Sequence, residues 1–140
     1  MERLKSSILD SFSQVDREQA DALLAEEAAK SRRKIVVLDD DPTGVQTVHG
    51  VSVYTDWSVE SIREGFAEEN KLFFILTNSR GFTVEQTTRA HREIGERVDQ
   101  VAKETGWDYL IISRGDTTLR GHYPLETELI KEEAEKANGW

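Results

Sequence analysis

An apolar run, Ile35-Val-Val-Leu38, breaks off into three consecutive carboxylates, Asp39, Asp40 and Asp41, and then into Pro42-Thr43-Gly44. Four aliphatic residues in a row, three of them β-branched, read as a short buried strand. The Pro-Thr-Gly segment extends neither a helix nor a central strand easily. The strand therefore delivers acidic groups to the carboxyl edge of a sheet, where open α/β sheets bind their ligands. Adjacent carboxylates repel one another, so such a cluster points to a metal, a polyhydroxy ligand or proton-transfer work.

The 140 residues are the size of one domain, enough to bury roughly two-thirds of the unfolded surface. A formal net charge of −9 excludes sequence-independent nucleic-acid binding, which needs a basic surface. It also gives no attraction to an anionic membrane. With no cysteine, disulfides, iron–sulfur clusters and thiolate zinc sites are excluded. Glu2, Arg3, Lys5 and Asp10 interrupt the N-terminus, which has no signal-peptide core, and no run reaches membrane-spanning length. The expectation is a cytoplasmic protein with no membrane and no nucleic-acid partner.

Helical and strand signals alternate along the chain. Leu4, Ile8 and Phe12 mark a weak amphipathic segment. Ala20, Leu23, Leu24 and Ala28 share one face of a helix over 16–30, with Ser13 or Asp16 as its cap. Residues 1–33 form an N-terminal helical extension, which either packs on the sheet, makes a homodimer contact or, as its charge favours, is solvated. Strands follow at 35–38, 51–54, 72–76 and 109–112. Helices follow from Trp57 or Ser58 to Glu68, from Val84 to about Lys103, and from Leu125 to Ala137 after Pro124. Val59, Ile62 and Phe66 point inward from the first. Ala90, Ile94, Val98 and Val101 or Ala102 do so from the second. Thr83 with Gln86 forms a capping box and Gly106 a stop. Trp57 and Trp107 read as core or edge packing. This order predicts an α/β fold over 34–140: a mostly parallel open sheet flanked by helices.

Three strand ends then share one edge: Asp39 to Gly44, Thr77-Asn-Ser-Arg-Gly81, and Ser113-Arg-Gly-Asp-Thr-Thr-Leu-Arg-Gly-His122. The first brings carboxylates, the second Arg80, and the third Arg114, Asp116 and Arg120. Thr43, Ser79, Thr117 and Thr118 add hydroxyls, while Gly44, Gly81, Gly115 and Gly121 permit close backbone approach or positive φ. Arginine suits a planar carboxylate. Carboxylates suit sugar hydroxyls, as acceptors or as a general base. The combination describes a small, polar, anionic, hydroxylated ligand. His49, His91 and His122 show no metal-binding spacing, and neither nucleotide-loop pattern, GxGxxG or GxxxxGK[ST], occurs.

The segments 39–47, 76–80 and 113–122 together resemble the four-carbon acid sugar kinase family, whose first motif reads Ala-Asp-Asp-x-Thr-Gly and whose third reads Ser-x-x-Asp-Ser-Thr-Leu-Arg-Gly. Asp40, Asp41, Thr43 and Gly44 match the first, with Asp39 where the family often has alanine. In the third, Thr117 replaces serine and keeps the hydroxyl. The resemblance covers Lys34 to the C-terminus. It implies an ATP-dependent kinase of sugar acids such as threonate or erythronate. An N-terminal domain holds the small-molecule acid there, and a C-terminal domain, or a partner chain, holds ATP and Mg²⁺. The chain is then the substrate half, and incomplete for catalysis by itself. Asp40 and Asp41 are the implied catalytic carboxylates. Thr43, Gly44, Ser79, Arg80, Arg114, Asp116, Thr117, Arg120 and Gly121 are the implied substrate contacts.

Two other readings stand beside it. Asp39, Asp41 and Thr43, with Thr77 ending a later strand, also fit the Asp-x-Asp-x-Thr pattern of haloacid-dehalogenase-like, Mg²⁺-dependent phosphatases, in which Asp39 is the nucleophile. The last strand lacks that class's acidic pair. The third reading is a non-catalytic sugar-acid-binding module.

Overall fold

A computed structural model describes residues 6–13, 15–116 and 120–139. Two compact units separate at Ser31. In the first, residues 6–11 form a 3-10 helix rather than a regular α-helix. The Leu4 end of the expected stripe lies outside the described residues. Helix α1 (Arg17–Lys30) is capped by Asp16, which accepts from the Gln19 N–H, so Ser13 is not the cap. None of its residues is buried, and Leu23 and Leu24 stay exposed. The helix thus buries no stripe within its own unit, the solvated case that its charge favours.

The second unit, 32–140, is the α/β body. Strands β1 (Arg33–Asp39), β2 (Val53–Tyr54), β3 (Leu72–Leu76) and β4 (Asp108–Arg114) form one parallel sheet in the order β2-β3-β1-β4. Three helices accompany it: α2 (Val59–Ala67), α3 (Val84–Thr105) and α4 (Leu125–Asn138). β1 and β4 run longer than their apolar cores because each pairs along the other's whole length. β2 shrinks to two residues at the sheet's edge.

Alternation along the strands decides the core. Val36 and Leu38 of β1 and Phe73 and Ile75 of β3 point to one face. There they pack with Ile62 and Phe66 of α2 and with Ile94, Val98, Val101 and Ala102 of α3. Trp57 and Trp107 border this cluster, as expected of packing residues. The contact is close enough that a Cβ on Gly65 of α2 would come within 2.7 Å of the Phe73 ring. The Thr83–Gln86 capping box opens α3, and Gly106, at φ 69°, closes it in the left-handed conformation. At the far end of β1, Lys34 is buried, and its Nζ donates to the Glu68 and Asn70 carbonyls, both at 2.6 Å, beyond the end of α2. Burial holds its pKa below the ordinary lysine value.

The register sets up the opposite edge. Asp39 pairs with Leu76 on one side and Arg114 on the other. The loops leaving β1, β3 and β4 therefore start side by side.

Candidate functional site

Backbone hydrogen bonds knit the three loops before any side chain acts. The Thr77 N–H donates to Asp39 O at 2.8 Å, the Asp40 N–H to Arg114 O at 3.3 Å, and the Arg80 N–H to Asp40 O at 3.4 Å. Asn78, at φ 52°, turns the chain so that Ser79–Gly81 folds into a single 3-10 turn and Arg80 faces back over β1.

Arg80 then spans two carboxylates. Its Nε and Nη2 donate to the two oxygens of Asp40, at 3.1 and 2.9 Å, and its Nη1 donates to Asp41 Oδ2 at 2.8 Å. Two parallel N–H···O bonds to one carboxylate are the fork geometry that arginine alone provides. The Asp116 N–H adds a third donor to Asp40, at 3.0 Å. Asp41 Oδ1 accepts from both the backbone N–H, at 2.8 Å, and the hydroxyl of Thr43. The Thr43 bonds, with smaller help from Arg80 and Arg120, hold the Asp41 carboxyl below the usual range. The bond to Asp40 raises Arg80 further above the ordinary guanidinium value.

The other two arginines differ. Arg114 Nη1 lies 3.5 Å from Asp39 Oδ1 with the side chain 47% exposed. Arg120 Nε donates to Asp116 Oδ2 at 3.1 Å with the side chain 64% exposed. Both present guanidinium edges to solvent beside the Asp40–Arg80–Asp41 group. Gly121 has φ 131°, and a Cβ there would overlap the Asp116 carbonyl. Glycine is required at that closure.

Most residues expected at the site are brought together: Asp40, Asp41, Thr43, Gly44, Arg80, Arg114, Asp116, Arg120 and Gly121 surround one sheet edge. Ser79 stands apart. It is 1% exposed, and its hydroxyl is bonded to that of Thr77 at 2.9 Å, supporting the turn rather than facing a ligand. Thr117 and Thr118 lie outside the described residues. His122 Nε2–H donates to Phe82 O at 2.9 Å, a structural use.

Two buried carboxylates add to the expected set. Asp39 is 0% exposed: one oxygen faces Arg114 and accepts weakly from the Asp41 N–H at 3.4 Å, while Oδ2 has no hydrogen-bond partner. The Cα of Gly44 presses on this carboxylate so closely that a Cβ there would overlap it. Burial first, and repulsion from Asp40 and Asp41 after it, raise the Asp39 pKa above the ordinary carboxylate value against the pull of the Asp41 N–H and Arg114. Glu126, in the first turn of α4, is 3% exposed, and its Oε1 has no hydrogen-bond partner. Glu126 Oε2 and Asp40 Oδ2 each lie 3.5 Å from where a Gly115 side chain would begin. The sequence carries a signal for Asp39, since alternation from Val37 turns it to the same face. It carries none for Glu126, whose place depends on how α4 packs.

The sugar-binding N-terminal domain family matches residues 35–140. The chain belongs to that family. No curated protein and no solved structure matches the chain. The matched span contains the sheet except the first two residues of β1, and all three loops at its edge. Within this sugar-binding domain, the edge joins acceptor carboxylates with exposed guanidinium groups, the two kinds of group a hydroxylated anion needs. Among the described residues no helix is long and apolar enough to cross a membrane.

Proposed function

We propose that this domain is the sugar-acid-binding portion of an ATP-dependent kinase that acts on four-carbon acid sugars such as threonate or erythronate. The observation that carries the reading is the division of labour among the arginines. Arg80 is spent inside the site, aligning Asp40 and Asp41. Arg114 and Arg120 stand half or more exposed beside them. Asp40 and Asp41 then accept hydrogen bonds from the sugar hydroxyls, and the two outer guanidiniums take the sugar's carboxylate. The proton of the reacting hydroxyl passes to Asp40 or Asp41.

The donor set here does not fit Mg²⁺, because Arg80 already spans the oxygens of both carboxylates. Among the described residues no group of three or more His, Asp or Glu side chains is arranged to hold a metal ion. In this reading ATP and its Mg²⁺, which supply the phosphoryl group, sit on a nucleotide-binding domain or partner chain. The phosphatase reading needs Asp39 as an accessible nucleophile. Asp39 is instead sealed beneath Gly44, which disfavours an attack through it.

Titration calorimetry of the chain with threonate, erythronate and the matching neutral tetritols tests the proposal. The acids bind, and Arg114→Ala and Arg120→Ala each weaken them roughly tenfold or more, the worth of a charged hydrogen bond, without changing tetritol affinity. Failure of every acid to bind, or equal losses for acid and tetritol, overturns it.

A further inference from the structure

We propose that the site binds its sugar acid together with one proton, carried on Oδ2 of Asp39, and that the charge of an ionised Asp39 limits the preference for an acid over a neutral sugar. The inference rests on the sugar-acid reading above. It takes its force from a carboxylate which that reading leaves unused.

Asp39 is the last residue of β1, and its side chain leaves the sheet on the same face as Val37, beneath the site. It is wholly buried. Gly44 closes over it, so no ligand reaches it and it acts through charge alone. The groups that face it are named by the surrounding loops. Asp40 and Asp41 follow it in its own loop, with Arg80 bound across both. Arg114 lies at the end of β4, and Asp116 and Arg120 follow in the next loop. Glu126 of α4 stands behind Gly115.

An anion entering beside Arg114 adds negative charge to this group. That charge favours proton uptake from solvent by a nearby carboxylate, and the candidates are unequal. Asp40 already accepts three charge-assisted or backbone hydrogen bonds, and Asp41 accepts from Thr43 and Arg80. Asp116 has Arg120. Asp39 Oδ2 and Glu126 Oε1 both have no hydrogen-bond partner, but Asp39 is the one that faces Arg114, where the anion enters, and it is wholly buried, so protonating its Oδ2 breaks no hydrogen bond and removes a charge from the least solvated position. By reciprocity, a ligand that promotes protonation binds more tightly where the proton is already present. Affinity for the acid thus rises as pH falls through the Asp39 transition, until the ligand's own carboxylate begins to protonate.

Asp39→Asn keeps the shape and removes the charge. Calorimetry of the chain with threonate at pH 5.5–6, repeated in buffers of different ionisation enthalpy, counts the protons taken up. The wild-type chain takes up a fraction of a proton on binding, and the Asp39→Asn chain takes up none. At pH 7.5 the variant binds threonate about tenfold more tightly, as expected for lifting a like charge several ångströms away, while tetritol affinity stays the same. Uptake that persists in the variant assigns the proton to Asp40, Asp41, Asp116 or Glu126 and overturns the proposal, as does the absence of uptake in the wild type. If neither acid nor tetritol binds, the sugar-acid reading fails by itself. Carbon-13 titration of the carboxyl groups in the ligand-free chain then decides the Asp39 part. A midpoint for Asp39 above those of Asp40 and Asp41 upholds it as the proton carrier, and an ordinary midpoint removes it.

Discussion

Gly44→Ala tests the least forgiving contact of the site. The three atoms nearest the Cβ that would be added all belong to one side chain, the Asp39 carboxylate, and the overlap is severe. Asp39 is short and 0% exposed, so it has no solvent-side rotamer to retreat into. Either the Asp41–Gly44 turn lifts off β1 or the carboxylate is forced off its rotamer. Overpacking of this kind costs about 1–3 kcal/mol. In a domain of this size each kcal/mol moves the midpoint by about 4–8 °C. Thermal and urea unfolding of the chain therefore show a fall of roughly 5–20 °C for Gly44→Ala. The cause is a single pair, so Asp39→Ala, which vacates the space, restores most of the loss in the double variant. The double-mutant cycle then gives a coupling of about 1–3 kcal/mol of favourable sign. A Gly44→Ala chain as stable as wild type, or a double variant no better than the sum of its parts, refutes the packing of Gly44 on Asp39 and with it the sealed carboxylate.

Phe73, fully buried and stacked edge-on against Phe66 and Tyr54 at 5.8 and 5.7 Å, anchors the sheet to α2. Phe73→Ala lowers unfolding free energy by about 3–5 kcal/mol in urea titration, and a loss under 1 kcal/mol contradicts that placement. His91 is buried in α3 and donates from Nδ1 to Thr87 O at 2.9 Å. Burial pushes its pKa below the ordinary histidine value, against the pull of that bond and of Glu126, with His122 adding to the fall. The unfolded chain therefore binds the proton first. The His91 contribution is whole above the unfolded pKa, near 6.5, and is lost as pH falls from there toward the folded value. The urea midpoint of wild type falls between pH 7.5 and 5.5 by more than that of His91→Asn, and equal slopes contradict a buried neutral imidazole.

Much of the body is local chemistry written along the chain. The apolar run Ile35–Leu38, three of its four residues β-branched, forms a strand. Thr83, Gln86 and Gly106 begin and end α3 by hydrogen bonds and a left-handed turn within a few residues of themselves. The stripe Ala90, Ile94, Val98, Val101 and Ala102 is buried because period and sheet agree. Alternation of strands and helices was enough to place three loops on one edge, and hence to gather Asp40, Asp41, Arg80, Arg114, Asp116 and Arg120. For α1 the charge was a better guide than the spacing of Ala20, Leu23, Leu24 and Ala28, since the helix buries none of its residues.

What each gathered group does was decided by the tertiary structure. Three adjacent Asp residues are alike in sequence. In the fold the pleat turns Asp39 under Gly44, while Asp40 and Asp41 are drawn to Arg80, forty residues away in the chain. The same long-range packing buries Ser79 and brings Glu126 behind Gly115. Residue types and short-range spacing determined which elements form and which chemistry reaches the edge. Burial, charge pairing and accessibility arise from contacts between distant segments, and those the tertiary structure alone decided.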